Sequence, residues 1–371
     1  MWIWQQPNWP QFTYDKSQVL PALESCIQAV SPLKHLSEVI STEQRLDWEA
    51  AILLDETLAS AKIEGEHYDR DSMRSSIVNK LGIGKGTKFN KQSDAMVEML
   101  LSAIRDSKQP LSHKLVKQWH HTLFPTAPIV TPITIGDYRD DQMQIISGRY
   151  GKQMVHFQAP AENISEVTQQ MDSFFAWCNN SDEPSAFIRA AIAKFWFVTI
   201  HPFDDGNGRL SRVIAERCLA QAEDTDLRLF SLSSALESHR NDYYQQLEDH
   251  QSGKLSENQN LDPLDLTQWI IWFLSMVETA AINAKKEFER VMTNTRFWQT
   301  HQLTDFNDRQ RKLVTRLLET KDFSDGISRK KYKALVKTTD ATAVRDITDL
   351  VKKGVLSPIG EGRSRKYLIK R

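Results

Sequence analysis

From Ser41 to Glu64 the core-type positions Leu46, Ala50, Leu53, Leu54, Thr57, Leu58 and Ala61 recur at three- and four-residue steps. That period lines them up along one face of an α-helix, with Ser41 as N-cap and Gly65 as the stop. The same spacing runs through Leu111–Leu123, Ile164–Cys178, Ser185–Ile200, Leu210–Ala222 and Asp265–Ala280, and continues to Glu287. Alternation of period two is rare. Met143–Ile146 and Gln153–Phe157, flanking Gly148 and Gly151, read as the arms of a hairpin. Past Ile327 the pattern gives a helix through Lys337, a turn, a second helix over Asp340–Lys353, and short apolar runs around Gly360-Glu361-Gly362. The predicted fold is mainly α, a helical core carrying one β-hairpin, followed by a helix-turn-helix with a terminal hairpin.

Composition changes this picture little. The 371 residues are 40% apolar and 26% charged, as in ordinary globular chains, and the length suggests two or three domains. The apolar run Trp269–Leu274 falls well short of a bilayer span, and Met1-Trp2-Ile3-Trp4 lacks the basic start of a signal peptide, so a cytoplasmic protein without a membrane partner is expected. Cys26, Cys178 and Cys218 form neither a disulfide framework nor a metal knuckle and read as core thiols. Charge is uneven along the chain. Residues 321–371 hold 14 Lys/Arg against 6 Asp/Glu, leaving 33 against 42 in the first 320. A basic terminal domain on an acidic body follows. The polar stretch Gln251–Asn260 reads as surface loop.

Residues 201–212 read His-Pro-Phe-Asp-Asp-Gly-Asn-Gly-Arg-Leu-Ser-Arg and lie between two predicted helices. Gly206-Asn207-Gly208 lets the backbone approach a ligand closely and take positive φ. Amides at the start of the following helix then form an anion nest at its positive end. Arg209 and Arg212, three residues apart, share a face and can fork onto phosphate oxygens. Asp205 beside them could hold Mg²⁺, which favours one carboxylate together with substrate oxygens and water. His201 is placed to take a proton from an attacking hydroxyl. Each feature alone has a plainer reading, a capping histidine or a glycine turn. Their conjunction within twelve residues narrows the choice to a phosphate site.

This stretch resembles the Fic-domain signature H-x-F-x-[D/E]-G-N-G-R-x-x-R, and Ala190–Ile200 resembles the helix that leads into it. The resemblance implies transfer of AMP from Mg²⁺-ATP to a Tyr, Ser or Thr hydroxyl of a target protein. It implies His201 as base, Asp205 as Mg²⁺ ligand, Gly206-Asn207-Gly208 as phosphate cradle, and Arg209 and Arg212 as clamps on the β- and γ-phosphates. The intact cradle sets the chain apart from the Doc-like branch. Where many relatives have His seven residues before the base, this chain has Lys194.

Ser60-Ala61-Lys62-Ile63-Glu64-Gly65 resembles the family's inhibitory motif [S/T]-x-x-x-E-[G/N], placed N-terminally as in class II proteins. That implies a Glu64–Arg212 pair occupying the γ-phosphate's space, with Ser60 steadying Glu64 or the local backbone. Gly136–Phe157, opened by Gly136-Asp137-Tyr138-Arg139, resembles the flap that docks a target strand. Asn241-Asp242-Tyr243-Tyr244 with Leu247 resembles the region flanking the adenine, which adds Tyr243 and Tyr244 to the ATP site. Removal of AMP, with Glu64 orienting a water, is the alternative direction.

The aromatic N-terminus, Trp2, Trp4, Trp9 and Phe12, looks like a small domain that precedes Fic cores in many bacterial proteins. The C-terminus resembles a winged helix, with Thr342 and Arg345 on a reading helix and Lys352, Lys353, Arg363, Arg365 and Lys366 near phosphates. DNA, or a second copy of the chain, is a candidate partner there, and a nucleotide-sensing DNA-binding regulator is the alternative function. The expected domains are 1–85 N-terminal helical with the inhibitory helix, 86–285 catalytic, 286–320 helical linker and 321–371 winged helix.

Overall fold

The computed structural model describes residues 1–84, 89–125, 132–147, 154–223, 227–252, 262–319, 323, 325–362 and 365–370. Gly148 and Gly151, most of the Gln251–Asn260 loop, and Arg363 lie outside the described residues. The chain divides into two compact units, Met1–Lys285 and Lys286–Arg371. Among the described residues no helix is long and apolar enough to cross a membrane.

The first unit is helical: α1 (Lys16–Val39), α2 (Thr42–Ile63), α3 (Arg70–Leu81), α4 (Lys91–Arg105) and α5 (His113–Leu123), then α6 (Ile164–Asn180), α7 (Ala186–Ile200), α8 (Asn207–Glu223), α9 (Leu232–Ser238), α10 (Arg240–Gln251) and the start of α11 (Thr267–Thr300). The helix α7 is its axis. It is apolar nearly all round, every residue but Arg189 is buried, and Ser185 caps its start by accepting from the Ile188 amide. It packs against α8 and α6, while α2 packs against α3, α4 and α9.

Between α5 and α6 the antiparallel hairpin β1 (Gln144–Ser147) and β2 (Met154–Gln158) pairs with a register shift at Ile145/Ile146. Phe157 is its buried anchor; Ile145, Ile146, Met154 and Val155 are exposed. The N-terminal aromatics settle on this region. The Trp4 indole donates to the Gln158 carbonyl at 2.6 Å, Trp2 meets Phe157 edge-on, and Trp9 and Phe12 pack on Trp196 of α7.

The second unit contains the end of α11, then α12 (Asp308–Glu319), β3 (Ile327–Ser328), α13 (Arg329–Val336), α14 (Asp340–Lys352), β4 (Leu356–Ile359) and β5 (Lys366–Ile369). Its antiparallel sheet has the order β3-β5-β4. Leu313, Leu317, Ile327, Tyr332, Ile347 and Leu350 lie in one core. Buried Asp346 ties this core together, accepting from Arg309, the Tyr332 hydroxyl and Asn307.

Candidate active site

The α7–α8 junction builds the site. Helix α7 ends at His201, which adopts left-handed backbone (φ 51°) while its amide still donates to the Phe197 carbonyl. A non-glycine residue held there stores roughly 1–3 kcal/mol of strain, a condition that persists only where surrounding bonds impose it. Two sets of bonds do so. Asn207 closes the Pro202–Gly206 loop into a ring, accepting from the Phe203 amide at 2.9 Å and donating to the Phe203 carbonyl at 2.7 Å. Arg139 donates to the His201 carbonyl at 2.7 Å.

The orientation of the His201 ring is also fixed. Its Nδ1 lies 3.1 Å from the Val198 carbonyl, which can only accept. Nδ1 therefore carries the proton and Nε2 keeps its lone pair. Burial, with Arg139 as a lesser cause, pushes the imidazole down from 6.5 to about 4. His201 is thus a neutral base at physiological pH.

Glycine is required by the backbone at one point of this loop and crowded by a side chain at a second. Gly206 has φ +81°, and a Cβ there would come within 2.9 Å of Leu123 Cδ2 and 3.1 Å of Phe124 Cε2. At Gly208 a Cβ would collide with the Glu64 carboxylate. An anion thus already sits at the mouth of α8, and it belongs to the chain itself.

How Glu64 arrives there follows from the end of α2. Ser41 and Gln44 form a capping box at its start. At its end the Glu66 amide bonds to Ala61 O and the Gly65 amide to Lys62 O, both at 3.0 Å, with Gly65 at φ +79°. This is the Schellman arrangement, and the glycine reverses the chain so that carboxylates on both sides of it meet arginines. Glu64 Oε1 lies 2.8 Å from Arg212 Nη2, and both Glu66 oxygens accept from Arg209 Nη1 at 2.8 and 2.9 Å. The Tyr68 hydroxyl donates back to Glu66 at 2.9 Å. Burial alone would raise the Glu64 carboxyl; Arg212, helped by Arg209 and Lys194, outweighs it and holds the group below its usual range.

The Ser60 hydroxyl touches Arg212 and not Glu64: Oγ accepts from Arg212 Nε at 3.0 Å and the Ser60 carbonyl from Nη2 at 2.9 Å. Arg212 and Arg209 are both buried, yet Arg212 Nη1 and Arg209 Nε have no hydrogen-bond partner among the described residues. Buried guanidinium donors left unpaired are costly. Oxygens of a bound phosphate would satisfy them, so the residues present fit that group.

Asp205 is half-exposed beside Arg209, 3.7 Å from its Nη2, and accepts from the Gly206 amide at 2.5 Å. Among the described residues no three His, Cys, Asp or Glu side chains gather into a metal cage. A cation on Asp205 would complete its shell from phosphate oxygens and water, the coordination Mg²⁺ favours. Of the two tyrosines on α10, Tyr243 is buried, stacked with Trp272 and accepting from Lys194 Nζ at 2.6 Å. Tyr244 keeps an exposed ring and donates to the Ile63 carbonyl at 3.1 Å.

Glu66 and His120 escape a reading of the sequence, and Lys194 and Arg139, both named there, make contacts it does not foresee; Lys194 is buried against Tyr243, and that burial pushes its amine well down. His120 stacks flat on Phe203, and burial lowers its imidazole to about 4. Its Nδ1 accepts from the Gly136 amide at 2.9 Å, so Nε2 donates to the Asp205 carbonyl at 3.2 Å. The stop signal at Gly65 is the one local clue to Glu66; nothing local announces His120.

Comparison with known proteins places the segments of this chain among known families and folds. Residues 2–83 match a domain of unknown function, DUF4172, and residues 110–219 match the Fic/DOC family. A Fic family protein from Desulfovibrio desulfuricans is similar in structure at 17% identity and TM-score 0.55, over 97% of this chain and 98% of that one. A Fic domain containing signaling protein from Bacteroides thetaiotaomicron is similar at 19% identity and TM-score 0.51, over 72% of this chain and 95% of that one. At these identities the likeness is one of fold. The segment 110–219, which holds the α7–α8 junction and the hairpin, is a Fic/DOC family domain, of a family whose members are typically transferases that move AMP or other nucleotide-derived groups onto proteins.

Proposed function

We propose that the protein is an adenylyltransferase that moves AMP from ATP to a hydroxyl of a target protein and rests in a self-inhibited state. The observation that carries this reading is the cradle at the mouth of α8, with unpaired buried donors on Arg209 and Arg212 and the chain's own Glu64 in place of an anion. In the reaction His201 Nε2 accepts the proton of the incoming hydroxyl. The hydroxyl oxygen forms a bond to the α-phosphorus as the bond to pyrophosphate breaks, and pyrophosphate departs with its charge held by Arg209, Arg212 and the α8 amides. Asp205 would hold Mg²⁺ together with phosphate oxygens and water, and the ion would supply charge neutralisation on the phosphates.

Inhibition follows from the same contacts. Glu64 and Glu66 each hold the arginine that a phosphate would need, so ATP in a productive pose must displace two carboxylates. The test is intact-mass measurement of the protein after incubation with Mg²⁺-ATP, alone and with candidate targets, in a Glu64→Gly background. An added adenylyl mass that disappears in His201→Ala, while that variant still binds ATP, is expected. Transfer at the same rate by His201→Ala would overturn the role of the base.

A further inference from the structure

The Arg139 side chain is buried and makes five hydrogen bonds, all to main-chain carbonyls. Nε donates to His201 O at 2.7 Å, Nη1 to Asp141 O at 2.6 Å and Ala161 O at 2.9 Å, and Nη2 to Pro160 O at 2.8 Å and Ile200 O at 3.4 Å. Its own amide donates to Pro202 O at 3.0 Å. These acceptors fall into two groups. Ile200, His201 and Pro202 are the end of α7 and carry the base. Asp141, Pro160 and Ala161 are the two roots of the hairpin, just before β1 and just after β2.

No carboxylate is among these partners. Asp204 and Glu166 favour its charge from a distance, but burial outweighs them and lowers the guanidinium to about 10, which still leaves it charged at neutral pH. Such a group persists where its planar fork of donors meets a fixed set of acceptors, a pattern that a lysine's single ammonium does not reproduce. The same site has a second rigid join. His120 links Gly136, at the head of the segment leading to the hairpin, to the Asp205 carbonyl in the phosphate loop.

We infer that Arg139 is a positioning residue that sets the register between the base His201 and the hairpin, and with it the alignment of any acceptor chain docked on that hairpin. This rests on the adenylyltransferase reading above. Alignment of base, hydroxyl and phosphorus is where small errors cost most, about a hundredfold in rate for a displacement near 1 Å. Arg139 touches neither nucleotide nor acceptor. Its loss therefore lowers turnover on protein without changing the affinity for ATP. A water molecule needs no docking on the hairpin, so AMP release to water suffers less than transfer to protein.

The test uses the full chain carrying Glu64→Gly, with Arg139→Lys and Arg139→Gln measured side by side. Rates are counted per ATP-binding site by titration calorimetry, which removes any unfolded fraction. A tenfold or greater fall in turnover on protein, unchanged ATP affinity, and a product ratio shifted from protein-bound to free AMP are expected. Turnover equal to the parent's, or a fall with an unchanged product ratio, overturns the inference. Amide hydrogen exchange supplies a readout independent of activity. In the variants exchange should quicken together at 142–147, 154–161 and 197–203 but not in α2 or α4. Unchanged exchange in those segments overturns the inference even if the parent transfers no AMP, whereas a parent that transfers none while the variants show the coupled exchange sinks only the adenylyltransferase reading.

Discussion

Removing the Glu64 carboxylate should raise AMP transfer by about ten- to a hundredfold. Glu64 meets Arg212 at 2.8 Å; the Arg212 side chain is 1% exposed and the Glu64 side chain 30%, so the bond is charge-assisted and shielded from solvent on the arginine's side. Hydrogen bonds to charged groups of this kind contribute roughly 1.5–3 kcal/mol, and each 1.4 kcal/mol is a factor of ten in the competition with a phosphate. The Glu66–Arg209 contact is equally short and similarly exposed, but Glu64 also lies against Gly208 at the mouth of α8, so it takes up space there as well as holding an arginine. Glu66→Gln should thus release transfer only a few-fold, and the Glu64→Gly, Glu66→Gln pair should exceed either single change. The assay is incorporation of label from α-labelled ATP into protein at subsaturating nucleotide, where competition for the arginines controls the rate. Glu64→Gln, which keeps the shape and loses the charge, separates electrostatics from space: it should fall between parent and Glu64→Gly. Equal incorporation by the parent and all four variants would refute the claim that these carboxylates compete with phosphate.

Since Arg212 holds the Glu64 carboxyl below its usual range, the brake should persist from pH 8 to pH 5; a parent activated by mild acid to the level of Glu64→Gly would contradict this. With His201 lowered to about 4, transfer by Glu64→Gly should keep its rate well below pH 6.5, and a pH–rate profile with its acid limb centred at 6.5 would show the base to be solvated instead. His120 and His201 stay neutral in the fold down to about 4 but take up protons near 6.5 when unfolded, so their contribution to stability is full above 6.5 and is lost as pH falls toward 4. The drop in thermal midpoint between pH 7.5 and pH 5 should accordingly be smaller in His120→Gln than in the parent. Gly206→Ala places a side chain at φ +81° against Leu123 and Phe124, which should cost about 1–3 kcal/mol, read as a lower unfolding midpoint and weaker ATP binding in calorimetry.

What the sequence discloses and what it hides divide along a physical line, namely whether the determining contacts are local. The proposed phosphate site is legible because its parts are consecutive: Gly206, Asn207 and Gly208 make the turn, and Arg209 and Arg212 share the first face of α8. The helix over Ser41–Glu64 is legible because its cap, stripe and stop lie within one segment, and the structure places it at Thr42–Ile63. The hairpin arms, read as Met143–Ile146 and Gln153–Phe157, run instead over Gln144–Ser147 and Met154–Gln158. With Ile145 and Ile146 both exposed, no buried face pins the register there. Helix α1 is hidden in the sequence because Pro21 and Pro32 fall inside it, and α3 because its buried side includes Ser72, Ser75 and Ser76.

The basic tail shows the same limit from the other side. Lys353 and Lys366, counted by sequence among phosphate contacts, are paired with Asp349 and Asp325, so a formal charge balance overstates the cations free for an anionic partner. Exposed Arg345 and Lys352 on α14 and Arg365 before β5 are what remain of that set among the described residues. In the active site the hidden residues act across long stretches of chain. Arg139 reaches 62 residues to His201, His120 reaches 85 to Asp205, and Glu66 reaches 143 to Arg209. Each is an ordinary polar residue until the fold closes around it, and each acquires its role by burial against main-chain or charged groups that no local spacing reveals. The chemistry of this protein is therefore written locally and its control is written tertiarily. A twelve-residue segment suffices to form the anion cradle, whereas the carboxylates that hold its arginines and the guanidinium that aligns its base exist only through helices and loops brought to it from elsewhere in the first unit.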